Sequence, residues 1–177
     1  LPLCNERDLR TQVRWGIADF RHRFGRHPEG MWLPETAVSS AVLTVLAEEG
    51  IRFTILAPGQ IAGTRPLDAP EQPWEPHGHG PHEGLGPDWD GERDPQPLDT
   101  SRPLRWRHPR DPSRTVDLVV YDGGLAHALA FARPSGPEIV AAVDEVLQGR
   151  DGLVAAATDG ETFGHHHPGA ERDVAEA

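Results

Sequence analysis

The spacing of apolar positions changes several times along the chain, and each change marks an element. Leu9, Val13, Ile17, Phe20 and Phe24 recur at helical spacing, which predicts a helix over 8–24 capped by Asn5 or Asp8 and closed by Gly25 and Pro28. The apolar run Glu29-Gly30-Met31-Trp32-Leu33-Pro34-Glu35 suits a buried strand. Pro34 cannot donate a ladder hydrogen bond, so that strand should end about there. Thr36 is the expected N-cap of a second helix with Val38, Val42, Val45 and Leu46 on its inner face and Gly50 at its end. The β-branched and aromatic stretch 51–57 predicts a second strand, halted by Pro58-Gly59.

From 60 to 114 the chain is dense in Pro, Gly, His and charge, with Trp74, Trp89 and Trp106 scattered through it. No period is sustained there, and so long a structureless stretch is expected to be a loop-rich insertion. Order resumes at Thr115–Tyr121, a strand that ends in Asp122-Gly123-Gly124. A short helix around Leu125–Phe131 comes next. A longer one over Pro137–Leu147 aligns Ile139, Val140, Val143 and Leu147 and stops at Gly149. Leu153–Thr158 is expected to be a final buried strand with Asp159-Gly160-Glu161 at its C-terminal edge. Alternating helices and strands imply an α/β fold with mostly parallel strands and right-handed crossovers. Four strands make an open sheet or about half of a barrel, and the chain is expected to be one domain, 1–177, carrying the insertion 60–114.

Composition narrows the partners. The net charge is −11, and all 17 basic residues are arginine, so polyphosphate is repelled and nucleic acid is not an expected partner. A neutral polar ligand such as a sugar is indifferent to that sign. The single cysteine, Cys4, excludes an internal disulfide and a Cys-based zinc site. No run approaches the ~18–20 apolar residues of a membrane span, and no signal peptide is present, so a soluble, cytoplasmic protein is expected. The chain opens on Leu1 rather than Met.

Three of the four predicted strands run into a carboxylate: Glu35, Asp122 and Asp159. Ligands of parallel α/β folds bind at the carboxyl ends of strands, where burial alone gives no reason for an acid. Taken singly, each is an ordinary cap or loop acid; at one rim they form a site. Two carboxylates in different surroundings can divide acid and base work, as glycoside hydrolysis requires.

Two segments carry a family resemblance. Gly30-Met31-Trp32-Leu33-Pro34-Glu35-Thr36 resembles the Trp-x-x-Glu segment of glycoside hydrolase family 57, and Asp159-Gly160-Glu161-Thr162-Phe163-Gly164 resembles its Asp-Gly-Glu-x-Phe-Gly segment. The resemblance implies that Glu35 is the nucleophile and Asp159 the general acid/base. The segments Arg14–Phe20, Phe53–Pro58 and Thr158–His167 are similar to a bacterial branch that adds a C-terminal domain of unknown function. The resemblance further implies a partial (β/α)7 barrel, retaining chemistry on an α-glucan-type oligo- or polysaccharide, and no cofactor. It also implies that N- and C-terminal parts of the same barrel are missing, so that the chain is a fragment inactive alone. The alternative is a non-catalytic carbohydrate-binding or regulatory module of the same fold. A metal-dependent deacetylase on a similar barrel would need an Asp-Asp and His-x-x-x-His pattern that the sequence lacks.

The remaining candidates are substrate-binding ones. Trp32 offers a stacking face for a pyranose or else a core ring. Asp122 either binds substrate or caps the Leu125 helix. Glu161 either orients Asp159 or is a loop acid. His165, His166 and His167 are adjacent, so their side chains diverge and no metal site is expected. One of them is expected to face sugar hydroxyls while another packs. The His77-Gly78-His79-Gly80-Pro81-His82 cluster resembles a metal-binding composition in a flexible loop and reads as incidental.

Overall fold

The computed structural model describes residues 1–77 and 98–177. By internal contacts the chain divides into two units, Leu1–Leu56 with Pro103–Val119, and Ala57–Arg102 with Val120–Ala177.

In the first unit the helical period produces α1 (Glu6–Phe24), which buries Leu9, Val13 and Ile17. The Asn5 side chain caps it by accepting from the Asp8 N–H at 3.0 Å. Gly25, at φ 68°, closes it with its N–H on the Arg21 carbonyl. Acids in the first turn and Arg21, His22 and Arg23 in the last oppose the helix dipole favourably. Strand β1 (Gly30–Met31) leads into a 3₁₀ turn at Pro34–Thr36, after which comes α2 (Ser40–Glu48). Val42, Leu43, Val45 and Leu46 of α2 are buried, each contributing about 1.5–3 kcal/mol of transfer free energy.

Strand β2 (Phe53–Leu56) pairs in parallel with β1, Gly30 opposite Phe53. A side chain at Gly30 would have to displace the Phe53 ring, since its Cβ would lie 2.3 Å from it. Thr54, fully buried, donates its hydroxyl to the Met31 carbonyl at 2.8 Å and fixes the register.

The second unit begins with a 3₁₀ turn at Pro58–Gln60 and a short antiparallel pair, β3 (Gly63–Thr64) and β4 (Glu75–Pro76). The Arg65 guanidinium lies 4.5 Å from the Trp74 ring centroid and bonds the Pro70 carbonyl at 2.5 Å, which holds the loop between the two strands. Strand β5 (Leu104–His108) returns to the first unit and pairs antiparallel with β6 (Asp111–Val120). The sheet order is β1-β2-β6-β5. Arg105 clasps Asp117 through two bonds of 2.6 and 3.0 Å, and His108 Nδ1 accepts from the Arg110 and Asp111 N–H groups to close the hairpin. Arg10 bridges Glu48 at 2.6 Å and Glu49 at 3.2 Å, Arg14 reaches Glu49, and Arg114 of β6 reaches Glu48, so one ionic cluster ties α1, α2 and β6.

Beyond β6 come α3 (Gly123–His127), one π-helical turn over Ala128–Ala132, α4 (Gly136–Leu147) and α5 (Ala170–Glu176). Ser135 and Glu138 form a capping box at α4. Gly136 lets α5 approach: a Cβ there would meet the Asp173 carbonyl at 3.0 Å.

Four expectations change. Strand β1 is two residues long, because Pro34 opens a turn before a longer ladder can form. Ser39, not Thr36, caps α2, accepting from Val42 N–H at 3.3 Å, since Thr36 is used inside that turn. Residues 153–158 form no strand. Leu153 is 46% exposed, and the alanines after it bring little surface to bury. Single backbone bonds rather than a ladder tie this segment to its neighbours, Leu153 N–H to the Ser101 carbonyl and Asp122 N–H to the Ala155 carbonyl. The segment 60–114 is not structureless, since it holds β3, β4, β5 and the start of β6. The α/β class and the parallel β1–β2 pair agree with expectation; the antiparallel β5–β6 hairpin is an addition. The histidine cluster beyond His77 lies outside the described residues, while His77 itself is buried and meets the Thr64 hydroxyl at 2.7 Å.

Candidate active site

The first candidate acid stands in an unusual backbone. Leu33, wholly buried, anchors the chain beneath the turn. Pro34 begins it, and the Thr36 and Ala37 N–H groups close on the Leu33 and Pro34 carbonyls at 2.9 and 3.0 Å. Between them Glu35 has φ 57° and Thr36 φ 52°. Two successive left-handed residues without glycine cost roughly 1–2 kcal/mol each, and a β-branched residue there is a marked outlier. Such strain persists only where surrounding contacts impose it. Here the buried Leu33 on one side and the Ser39-capped α2 on the other impose it, and the Glu35 side chain stands in solvent.

Trp32 precedes this turn and is 51% exposed. It is therefore an accessible ring rather than a core one. It lines a groove of about 390 Å³ together with Phe20, Arg26, Glu29, Gly30 and Phe53. The Arg26 guanidinium lies 5.2 Å from the Phe20 ring centroid, which places a hydrogen-bond donor beside aromatic faces. Nothing local in the sequence signals that Phe53 flanks Trp32; the β1–β2 register brings it there.

In the second unit Asp122 is the N-cap of α3, its Oδ1 accepting the Leu125 N–H at 2.7 Å. Its own N–H donates to the Ala155 carbonyl at 2.7 Å, which sets the start of α3 beside the segment leading to Asp159. Asp159 is exposed and opens a loop with internal bonding. Thr162 N–H donates to the Asp159 carbonyl, His166 N–H to the Glu161 carbonyl and His167 N–H to the Thr162 carbonyl, each at 3.0 Å. Gly164, at φ 99°, lets the chain reverse between them.

The three histidines separate as their adjacency implies. His165 and His166 are exposed, with ring centroids 4.9 Å apart edge to face. His167 is half-buried, and its Nε2 meets the Ala130 carbonyl at 2.8 Å. Glu161 is exposed, in the same loop. Among the described residues no three His, Cys, Asp or Glu side chains converge on a point that would hold a metal ion. Cys4 is exposed, and no helix among the described residues is long and apolar enough to cross a membrane.

Comparison with known proteins fits these pieces to a family. The fold is similar to that in a crystal structure of a family 57 branching enzyme from the hyperthermophilic archaeon Thermococcus kodakaraensis, determined in complex with glucose and additives, with a TM-score of 0.67 at 15% identity. The match covers 98% of this chain and 40% of that enzyme, so the chain spans well under half of its relative's length. No curated protein sequence matches. The sequence pattern of glycosyl hydrolase family 57 matches residues 1–175, a span that includes both candidate acids. The chain belongs to glycosyl hydrolase family 57.

Proposed function

We propose that this chain carries the reactive carboxylates of a retaining glycosidase or glucanotransferase acting on α-glucan, with Glu35 as nucleophile and Asp159 as acid/base. The observation that carries the reading is the family match running unbroken across both acid-bearing segments. The strained backbone at Glu35 supports it, because strain of this kind clusters at working residues. The fold likeness to a branching enzyme of the same family supports the substrate class.

In the first step the Glu35 carboxylate attacks the anomeric carbon, the glycosidic C–O bond breaks, and Asp159 gives its proton to the departing oxygen. In the second, water or an acceptor sugar hydroxyl yields its proton to Asp159 and attacks the same carbon, releasing Glu35. Two inversions return the starting configuration. Trp32 stacks on a pyranose face, and Glu161, His165, His166 and the second oxygen of Asp122 hydrogen-bond sugar hydroxyls. The sheet forms part of a (β/α)7 barrel, with residues 60–114 as an elaboration within one catalytic domain.

Glu35→Gln and Asp159→Asn in the intact protein test the reading. Each is expected to lower turnover of α-glucan by at least ~10³-fold while leaving glucan affinity in place. Near-parental turnover in either variant removes that residue from its role. Glucan binding with no turnover in the parent would instead favour a binding module.

A further inference from the structure

We propose that His167 is the positioning residue for Asp159, seating the Asp159–Ala170 loop on a carbonyl that the neighbouring helix leaves without a donor. The inference rests on the reading of Asp159 as acid/base.

The carbonyl is that of Ala130, in the π-helical turn. Four residues on stands Pro134, which has no N–H to offer. Five residues on stands Ser135, whose N–H is held by the Glu138 carboxylate at 2.8 Å. Arg133, at φ 48°, then ends the helix. The half-buried Ala130 thus has neither its i+4 nor its i+5 helical donor, and its carbonyl is left to take one from elsewhere. His167 Nε2 lies 2.8 Å away. A carbonyl oxygen only accepts, so Nε2 carries the proton.

From that anchor the loop is bonded back toward the acid. The His167 N–H donates to the Thr162 carbonyl, and the Thr162 N–H to the Asp159 carbonyl, both at 3.0 Å. The His167 carbonyl accepts from Gly164 and Ala170, both at 3.1 Å. Asp159 is therefore two hydrogen bonds from an imidazole fixed on a helix. Thr162, 4% exposed, sits between them. The bonds within the loop are local, whereas the His167–Ala130 bond joins residues 37 apart in sequence. On the far side Arg133 meets Asp173 of α5 at 3.6 Å, so the same helix end holds the loop's exit as well. His165 and His166 are exposed and contact each other, which leaves the anchoring to His167.

The test compares His167→Gln with His167→Asn in the intact protein, beside Asp159→Asn. A glutamine amide nitrogen reaches the place of Nε2; that of asparagine falls short. Amide hydrogen exchange at Thr162, His166, His167 and Ala170 reads the seat, independently of catalysis. Values of kcat/KM on α-glucan and on α-glucosyl fluoride, whose leaving group needs little protonation, read the acid.

His167→Asn is expected to speed exchange at those amides at least ~10-fold and to lower kcat/KM on glucan by about 10²-fold, but on the fluoride by less than about threefold. His167→Gln is expected to restore both. Parental exchange in His167→Asn overturns the seat. Faster exchange with equal losses on both substrates overturns the positioning role and leaves a merely structural one. A fully active Asp159→Asn overturns it too, by removing the acid/base reading itself, and is told apart because it leaves the exchange result standing.

Discussion

Glu35 and Asp159 are held by opposite means. Glu35 sits in a turn of three residues whose geometry is imposed locally, by Pro34, the buried Leu33 and two left-handed residues in succession. Asp159 begins a loop whose own backbone is unexceptional and which gains its shape from bonds running on to His167 and across to Ala130. The first arrangement stores strain in the backbone beside the functional group. The second distributes the task over hydrogen bonds that individually contribute only about 0.5–1.5 kcal/mol. A stiff turn suits the proposed nucleophile Glu35, which must keep one line of attack. The proposed acid/base is instead placed from a distance, through the His167 seat.

The difference can be broken most forcefully from beneath the Glu35 turn. Leu33→Ala removes the wholly buried anchor and is expected to lower stability by about 2–5 kcal/mol, read as a drop in the urea midpoint, with loss of glucan turnover. A smaller effect is expected in the second unit, where Asp122→Ala deletes the α3 cap. It should cost about 1 kcal/mol in the same melts, and Asp122→Asn, which can still accept, should recover most of it. Thr36→Gly sharpens the comparison. It relieves a left-handed β-branched residue, worth roughly 1–2 kcal/mol, but gives up the contact that Thr36 makes and adds the entropy of a glycine, roughly 0.5–1 kcal/mol, so the net change in the melts should stay within about 1 kcal/mol. Turnover should fall while KM holds, because Glu35, the proposed nucleophile, is less confined.

The smallest expected effect is one of pH on the first unit. Hydrogen bonds from Arg10 to Glu48 and from Arg14 to Glu49 hold both carboxyls below their ordinary value of 4.5. Groups with depressed pKa values contribute their stability above that ordinary value and lose it as pH falls through the lower, folded one. Urea midpoints should therefore be level near neutrality and decline below pH 4.5, and Glu49→Gln should flatten that decline.

Much of the fold is legible in the sequence wherever a local rule meets no competitor. The α1 period, its Asn5 cap and its Gly25 stop all appear as the pattern implies, and the Pro34 barrier does end β1. The α2 cap lies three residues beyond its expected place because Thr36 and Ser39 are both cap residues by type, serine the better one, and the turn at Glu35 takes Thr36 out of contention. Strand β5 escapes the pattern although Leu104-Arg105-Trp106-Arg107-His108 alternates apolar and polar, because its Pro- and Gly-rich surroundings mask a period only five residues long. The opposite error arises at 153–158, where an apolar run with three alanines lacks the bulk and the ladder partners that make a strand.

The site shows the same division. Asp122 as a cap and a packed histidine among three follow from residue type and adjacency. Which histidine packs depends on Pro134 withholding a proton from Ala130, a fact written in the sequence but meaningful only once the loop and that helix end are known to be neighbours.

Covalent capture of the nucleophile tests the central claim most directly. A 5-fluoro-α-glucosyl fluoride should accumulate as a glycosyl ester on the intact protein, and peptide mapping by mass spectrometry should place the added mass on Glu35. A stable label on any other carboxylate, or hydrolysis with inversion at the anomeric carbon and no ester at all, would contradict the account.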